Sequence, residues 1–129
     1  MGDRSNLFFR ARGGAGGIGI YAHSSGTFMA DAAMAVLKNK AFQDRLGDTN
    51  YALRIGVQTA LEALMADSTS DTGFGLWTPA TGADDNEYRY IVIDIDDGAV
   101  FVAKDWKKPK PSEKVAKPTA AVLRKKMSS

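Results

Sequence analysis

The sequence predicts an α+β domain in which an antiparallel five-stranded sheet, in ββ-αα-βββ order, carries two helices on one face. Three observations lead to this class. Two segments with apolar residues at helical spacing lie between two groups of strand-like segments. The glycine-containing stretches GGAGG and Asp97-Gly98 join strand-like neighbours as hairpin turns do. The chain has 129 residues, which suffices for one hydrophobic core.

The first two strands are predicted at residues 6–12 (NLFFRAR) and 18–24 (IGIYAHS), which are rich in aromatic and β-branched residues. Residues 14–19 lie between these strands and extend into the start of the second. Their sequence, GAGGIG, matches the spacing of the dinucleotide-binding fingerprint. That fingerprint requires a following helix, whose N-terminus meets the pyrophosphate. Here the glycines precede a second strand, so we interpret them as the turn of the first hairpin.

Two helices are predicted next, each opening at a residue that can cap it. Ser25 or Thr27 precedes the first helix, and Asp48 or Thr49 precedes the second. Both segments repeat apolar residues every three to four positions, as an amphipathic helix requires. The second helix is expected to present one apolar face, made of Leu53, Val57, Ala60, Leu61 and Leu64.

Three further strands are predicted at residues 72–78 (TGFGLWT), 87–96 (EYRYIVIDID) and 99–104 (AVFVAK). Asp97-Gly98 is a strong signal for a two-residue hairpin between the last two. Alternation in the segment 87–96 predicts one buried face. Its members are Ile91, Ile93 and Ile95. The other face is aromatic at one end and acidic at the other, which is typical of a surface that binds a ligand or another subunit.

The domain is expected to span residues 1–106, with a basic, flexible tail at residues 107–129. The net charge is +2, but the tail carries eight Lys and Arg residues against a single acid, Glu113. Three of the four prolines lie in this tail, which has few large apolar residues. A basic tail attracts nucleic acid, an anionic ligand or only solvent, and these alternatives stay open.

Composition excludes several kinds of site. The absence of cysteine excludes disulfides, thiolate metal sites and a cysteine nucleophile. The single histidine, His23, excludes a multi-histidine metal site within one chain. No apolar run approaches the roughly 20 residues needed to span a bilayer, and the first residues lack the apolar core of a secretory signal. We therefore expect a cytoplasmic protein.

Catalytic and metal sites have weak support. A pairing of His23 with Ser24 is unfavourable because adjacent residues in a strand point to opposite faces, so a hydrogen-bonded structural histidine is favoured. Asp94 and Asp96 share a strand face and could hold Mg²⁺ or Ca²⁺, but acids also line solvated sheet faces. We predict no catalytic residue, no metal and no cofactor.

Five short stretches follow one another along the chain: MGDRSN, GIGIYAHSSG, DTNYALRI, DTGFGLW and DNEYRYIVIDID. In this order and spacing they resemble a family of small phage and prophage proteins, the anti-Thoeris sponges, which sequester cyclic ADP-ribose isomers made by a bacterial immune enzyme. The resemblance excludes residues 107–129. It implies the same ββ-αα-βββ plan, a homo-oligomer, and binding of an intact cyclic nucleotide without catalysis.

The resemblance also implies ligand-binding residues. Phe74 in TGFG would stack on the adenine, and Asn86 in DNEY would hydrogen-bond the ligand. Arg54 in ALRI would face a phosphate, and Lys104 is a further phosphate candidate.

One position departs from the family, because Ser24 stands where its members carry tryptophan. Trp77 would then supply stacking from across the pocket, although Trp77 and Phe74 suit a hydrophobic core equally well. His23 completes the expected set of ligand-binding residues. The alternative function is a phage protein that inhibits a host protein or nucleic-acid machine by direct binding.

Overall fold

The computed structural model describes residues 3–67, 73–83 and 86–129. Short turns of 3-10 helix lie at Arg12–Gly14, Gly26–Phe28 and Pro111–Glu113. The strands and helices are, in chain order, β1 Ser5–Ala11, β2 Gly16–Ala22, α1 Met29–Lys38, α2 Lys40–Asp44, α3 Thr49–Asp67, β3 Phe74–Trp77, β4 Tyr90–Asp94, β5 Val100–Ala103 and α4 Ala120–Met127. Thr72, with which the third strand was expected to begin, lies outside the described residues.

The five strands form one sheet in the order β3-β2-β1-β4-β5. β1 pairs antiparallel with β2, β2 with β3, and β4 with β5. β4, however, runs parallel to β1, with Leu7 opposite Ile91. The class α+β is confirmed, but the expectation of a purely antiparallel sheet is wrong. The connection from Trp77 to Tyr90 is about as long as a parallel crossover needs, and it lets β4 join the free side of β1.

Both predicted hairpins are present. Between β1 and β2, positive φ angles occur at Arg12 (54°), Gly13 (65°) and Gly14 (99°), so GAGGIG belongs to a turn and to the start of β2. The second hairpin has a longer turn than the two residues predicted. Gly98 adopts φ 82° and its N–H donates to the carbonyl oxygen of Asp94 at 2.7 Å.

Two helix starts differ from the sequence-based expectation. α1 begins at Met29 after a 3-10 turn, and neither Ser25 nor Thr27 caps it through a side chain. The short α2 was not predicted, and it begins where the Asn39 side chain accepts the N–H of Ala41 at 2.9 Å.

The main core lies between the sheet and the helices, and α1, α2, α3 and α4 all contribute to it. Ile91 and Ile93 of β4 and Ile95, which follows it, are fully buried there, which confirms the buried face predicted for the segment 87–96. Gly56 brings α3 close to the sheet, since a Cβ at this position would lie 2.7 Å from the ring of Phe9. In the part of the chain that the structure describes, no helix has the length and apolar character to cross a bilayer.

The segment 107–129 belongs to the domain, so the expectation that it is a flexible tail outside the core is wrong. The N–H of Val115 donates to the carbonyl oxygen of Val100 at 2.8 Å, which attaches the segment to β5. The side chain of Val115 and those of Leu123 and Met127 in α4 are buried in the main core. Three apolar side chains therefore anchor a segment whose composition is dominated by lysine.

A second, smaller cluster lies on the opposite face of the sheet and contains Phe8, Trp77, Val92, Ala103 and Trp106. The rings of Phe8 and Trp77 stack with centroids 5.1 Å apart, and Trp106 meets both edge-on. The Trp77 indole lies over Gly19 and donates its N–H to the Asn6 side chain at 2.9 Å. The tryptophan is therefore fixed by packing and by a hydrogen bond.

Candidate functional site

A cleft of about 500 Å³ opens where β4 begins and β5 ends. Residues 86–90, Lys104 and the end of α4 at residues 127–129 form its walls. The backbone N–H of Arg89 donates to the carbonyl oxygen of Met127 at 2.9 Å, and its guanidinium donates to that of Ser129 at 2.9 Å. Docking of α4 onto β4 therefore creates one wall of the cleft.

Asn86 is the most unusual residue of this cleft. Its side-chain Nδ2 and Oδ1 are both buried, and neither has a hydrogen-bond partner among the residues that the structure describes. A buried polar group without a partner costs about 1–3 kcal/mol. The amide offers donors and an acceptor side by side, which is the pattern that pairs with the edge of an adenine base.

Two cations accompany this amide. Lys104 is exposed and forms no ion pair within the described ranges. The Arg89 side chain is 26% exposed, and its Nη1 lies 3.7 Å from the Glu113 carboxylate. Glu87 also lines the cleft, and its carboxylate lies 3.8 Å from the Arg4 guanidinium. Beside Asn86 the cleft thus places one cation that has no ion pair among the described residues and one partly neutralised cation, which can face an anionic ligand.

Glu113 holds together the segment that carries Lys104. Its carboxylate accepts the backbone N–H of Lys104 at 3.1 Å and that of Lys110 at 2.8 Å. Burial, the largest single influence, disfavours the charged form of Glu113, whereas these two N–H donors favour it. The positive charges of Lys110 and Arg89 act in the same direction, so the pKa of Glu113 lies below its ordinary value.

Two tyrosines complete the walls. The Tyr88 hydroxyl donates to the carboxylate of Asp3. That hydrogen bond, with burial and the negative charges of Asp3 and Glu87, raises the pKa of Tyr88 above its ordinary value. Tyr90 lines the cleft and packs against the small aromatic cluster. Aromatic rings beside an amide and cations provide flat surfaces on which a base can stack.

Of the six ligand-binding residues predicted from the sequence, the structure brings Asn86 and Lys104 together in this cleft. Trp77 is buried in the aromatic cluster on the second face of the sheet. His23 is exposed beside Tyr21, whose hydroxyl lies 3.0 Å from its Nδ1.

The other two predicted residues lie near α3. Phe74 is partly buried against the main core and lines a small pocket with Leu61 and Met65. Arg54 is exposed on α3, where its guanidinium donates to Gln58 at 2.6 Å. The predicted set therefore divides between separate parts of the domain.

The carboxylates weighed for a metal have protein partners instead. Asp94 pairs with the Arg10 guanidinium at 2.9 Å, and Asp96 accepts the N–H of Gly13 at 3.1 Å. Across residues 3–67, 73–83 and 86–129, no group of three or more metal-ligating side chains occurs. Asp96 thus contacts the turn of the first hairpin directly, whereas Asp94 holds Arg10, whose guanidinium donates to the Gly13 carbonyl oxygen of that turn.

Sequence reasoning missed Arg89 and the end of α4. Arg89 stands between two tyrosines in EYRY, a basic residue at the start of a strand, and this position was a usable signal. The wall contributed by residues 127–129 could not be found, because the basic segment was expected to lie outside the core.

In the comparisons with known proteins, no family model, no curated protein and no solved structure matches the chain. The chemistry of the cleft is therefore the basis for a functional assignment. An amide that has no hydrogen-bond partner within the described residues, two cations and two tyrosine rings together suit a ligand that is planar in one part and anionic in another.

Proposed function

We propose that this chain is a non-enzymatic, phage-type protein that binds and sequesters a cyclic nucleotide immune signal. The ligand class is a cyclic ADP-ribose isomer or a related cyclic oligonucleotide, captured in the cytoplasm of an infected bacterium to block anti-phage defence. The single observation that carries the proposal is the buried Asn86 amide, which has no partner among the described residues and lies in the wall of a cleft that also contains Lys104 and Arg89.

In this proposal each group of the cleft has one task. Asn86 hydrogen-bonds the edge of the base, and a ring of Tyr88 or Tyr90 lies against the base plane. Lys104 and Arg89 neutralise the phosphates. Binding leaves the covalent structure of the ligand unchanged, so the protein removes the signal from its receptor by affinity and stoichiometry alone.

Isothermal titration calorimetry with cyclic ADP-ribose isomers and with cyclic di- and trinucleotides tests the proposal. We expect micromolar or tighter binding to at least one of them. Asn86→Leu and Lys104→Ala should each weaken it about tenfold, since an unpaired buried polar group costs about 1–3 kcal/mol and a hydrogen bond to a charged group contributes about 1.5–3 kcal/mol. Lys108→Ala is the matched control, because Lys108 is an exposed lysine of the same segment outside the cleft.

Two outcomes would contradict the proposal. One is the absence of binding to every nucleotide at tens of micromolar. The other is recovery of a chemically altered nucleotide after heat denaturation of the complex, as chromatography of the released ligand would show, because that result would indicate an enzyme.

A second candidate function, inhibition of a host protein or nucleic-acid machine, is favoured by the exposed basic side chains of the last third of the chain. They include Lys107, Lys108, Lys110, Lys117, Lys125 and Lys126. Because the segment carrying them packs into the core, its deletion would damage the fold. Substituting these lysines with serine and comparing retention on immobilised duplex DNA and on host lysate proteins tests this function without that damage.

A further inference from the structure

An apolar groove lies at the β3 side of the domain, at the opposite edge of the sheet from β5. Its first part, of about 540 Å³, runs along α3 and contains Ile18, Leu53, Val57 and Leu61. Its second part, of about 250 Å³, begins at Leu61 and continues to the edge strand. We call this the α3–β3 groove. Three of the five apolar residues predicted for the inner face of α3 line it, so α3 has more apolar surface than the sheet covers.

The far end of the α3–β3 groove exposes large side chains. Leu76 is 59% exposed and Met65 is 40% exposed. Leu76 belongs to β3, which is an edge strand with the sequence FGLW. This strand carries no charge and no proline, the features by which edge strands usually avoid pairing with another chain. An apolar groove beside an edge strand that lacks these features is typical of an interface between proteins.

The rim of the groove indicates which partner fits. Arg54, Gln58 and Glu62 follow one another at intervals of four residues along α3, joined by hydrogen bonds of 2.6 Å and 3.5 Å. This row of three side chains is thus positive at Arg54 and negative at Glu62. The two ends lie about 12 Å apart at 1.5 Å per residue. A second α3 laid antiparallel across it, about a two-fold axis near Gln58, would place each positive end opposite a negative end.

We propose that a second copy of this chain covers the α3–β3 groove in a two-fold symmetric dimer. The apolar side chains of the two grooves pack against each other, and the two β3 edges lie at the same interface. Arg54 then pairs with Glu62 of the partner subunit, and the reverse pair forms on the other side of the axis. This assigns Arg54 to self-association, and it is independent of the nucleotide-binding function proposed above.

Sedimentation equilibrium of the full chain over a range of concentrations tests this proposal. The wild-type protein should have twice the monomer mass of 13.8 kDa. Leu76→Lys should give a monomer with unchanged circular dichroism, because Leu76 is mostly exposed and its loss does not empty the core.

Charge reversal tests the orientation. Arg54→Glu and Glu62→Arg should each weaken dimerisation about tenfold or more, and the double variant should restore it to within a few-fold of the wild type. Lys40→Glu is the control, because it makes the same change in charge at an exposed position of α2, where Lys40 forms an ion pair with Asp44. This control should leave the dissociation constant of the dimer unchanged.

The proposal is overturned by a wild-type protein that stays monomeric, which would leave the groove to a different protein. It is also overturned if Leu76→Lys remains a dimer, or if the double charge reversal dimerises no better than the single variants.

Discussion

The two faces of the sheet are buried in different ways. On one face, four helices cover a large core made mainly of aliphatic side chains. On the other face, a few aromatic rings are covered by connecting segments, with Trp77, Phe8 and Trp106 at the centre. The first face is stabilised by the large apolar surface area that it removes from water. The second depends on a few specific contacts, so single changes there should be disproportionately damaging.

The largest effect should come from Gly19→Ala on the aromatic face. A Cβ at Gly19 would lie 1.9 Å from a ring carbon of Trp77, so the indole would have to leave its place on Phe8 and lose its hydrogen bond to Asn6. Losing the packing of a buried aromatic side chain costs about 3–5 kcal/mol, so we expect a loss of about this size in the free energy of unfolding. Urea titration followed by tryptophan fluorescence measures it.

Gly16→Ala is the matched control for this change. Gly16 also belongs to β2, and a Cβ there would meet nothing within 4 Å. Similar losses for both substitutions would show that the backbone of β2, and not the aromatic face, is sensitive.

On the helical face, Leu123→Ala should cost about 3 kcal/mol, within the range of buried Leu→Ala substitutions. Leu123 is fully buried although it lies in the lysine-rich segment. Lys125→Ala, at an exposed position of the same helix, should change the free energy of unfolding little. If Leu123→Ala changed the free energy of unfolding as little as Lys125→Ala does, that result would contradict the packing of α4 on the core.

A smaller effect of opposite sign is expected at the cleft. Asn86→Leu replaces a buried amide that has no partner within the described residues, so it should raise the free energy of unfolding by about 1 kcal/mol. Thermal unfolding of the wild type and the variant, measured without ligand, shows whether the substitution stabilises or destabilises the protein. A destabilised Asn86→Leu variant would mean that the amide supports the fold, and the case for its role in binding would weaken.

The smallest effect should be a change in pH dependence at Glu113. Because its pKa is lowered on folding, the carboxylate stabilises the protein above the ordinary value of 4.5, and this contribution is lost as pH falls through the folded pKa. The stability difference between wild type and Glu113→Gln should therefore be largest near pH 7 and shrink below pH 4.5. Denaturant titrations at several pH values, with Asp67→Asn as an exposed control, measure this trend.

The candidate site was only partly predictable. Asn86 and Lys104 were expected from a resemblance in motif order, and they meet in the cleft. Phe74 and Trp77 were equally compatible with stacking on a ligand and with packing, because an aromatic residue beside a glycine looks the same in both cases. The structure places Phe74 against the main core and Trp77 in the aromatic cluster. Arg54 is on α3, at the groove.

By itself, the sequence determined the local elements: the two hairpins, the buried face of β4 and the long helix α3 with its apolar excess. These follow from glycine conformation and from periods of two and 3.6 residues, which neighbouring residues alone produce. Only the tertiary structure decided that β4 pairs parallel with β1 and that residues 107–129 dock on the core. Strand neighbours and docking depend on contacts between residues far apart in the chain, and three buried side chains outweigh a basic composition.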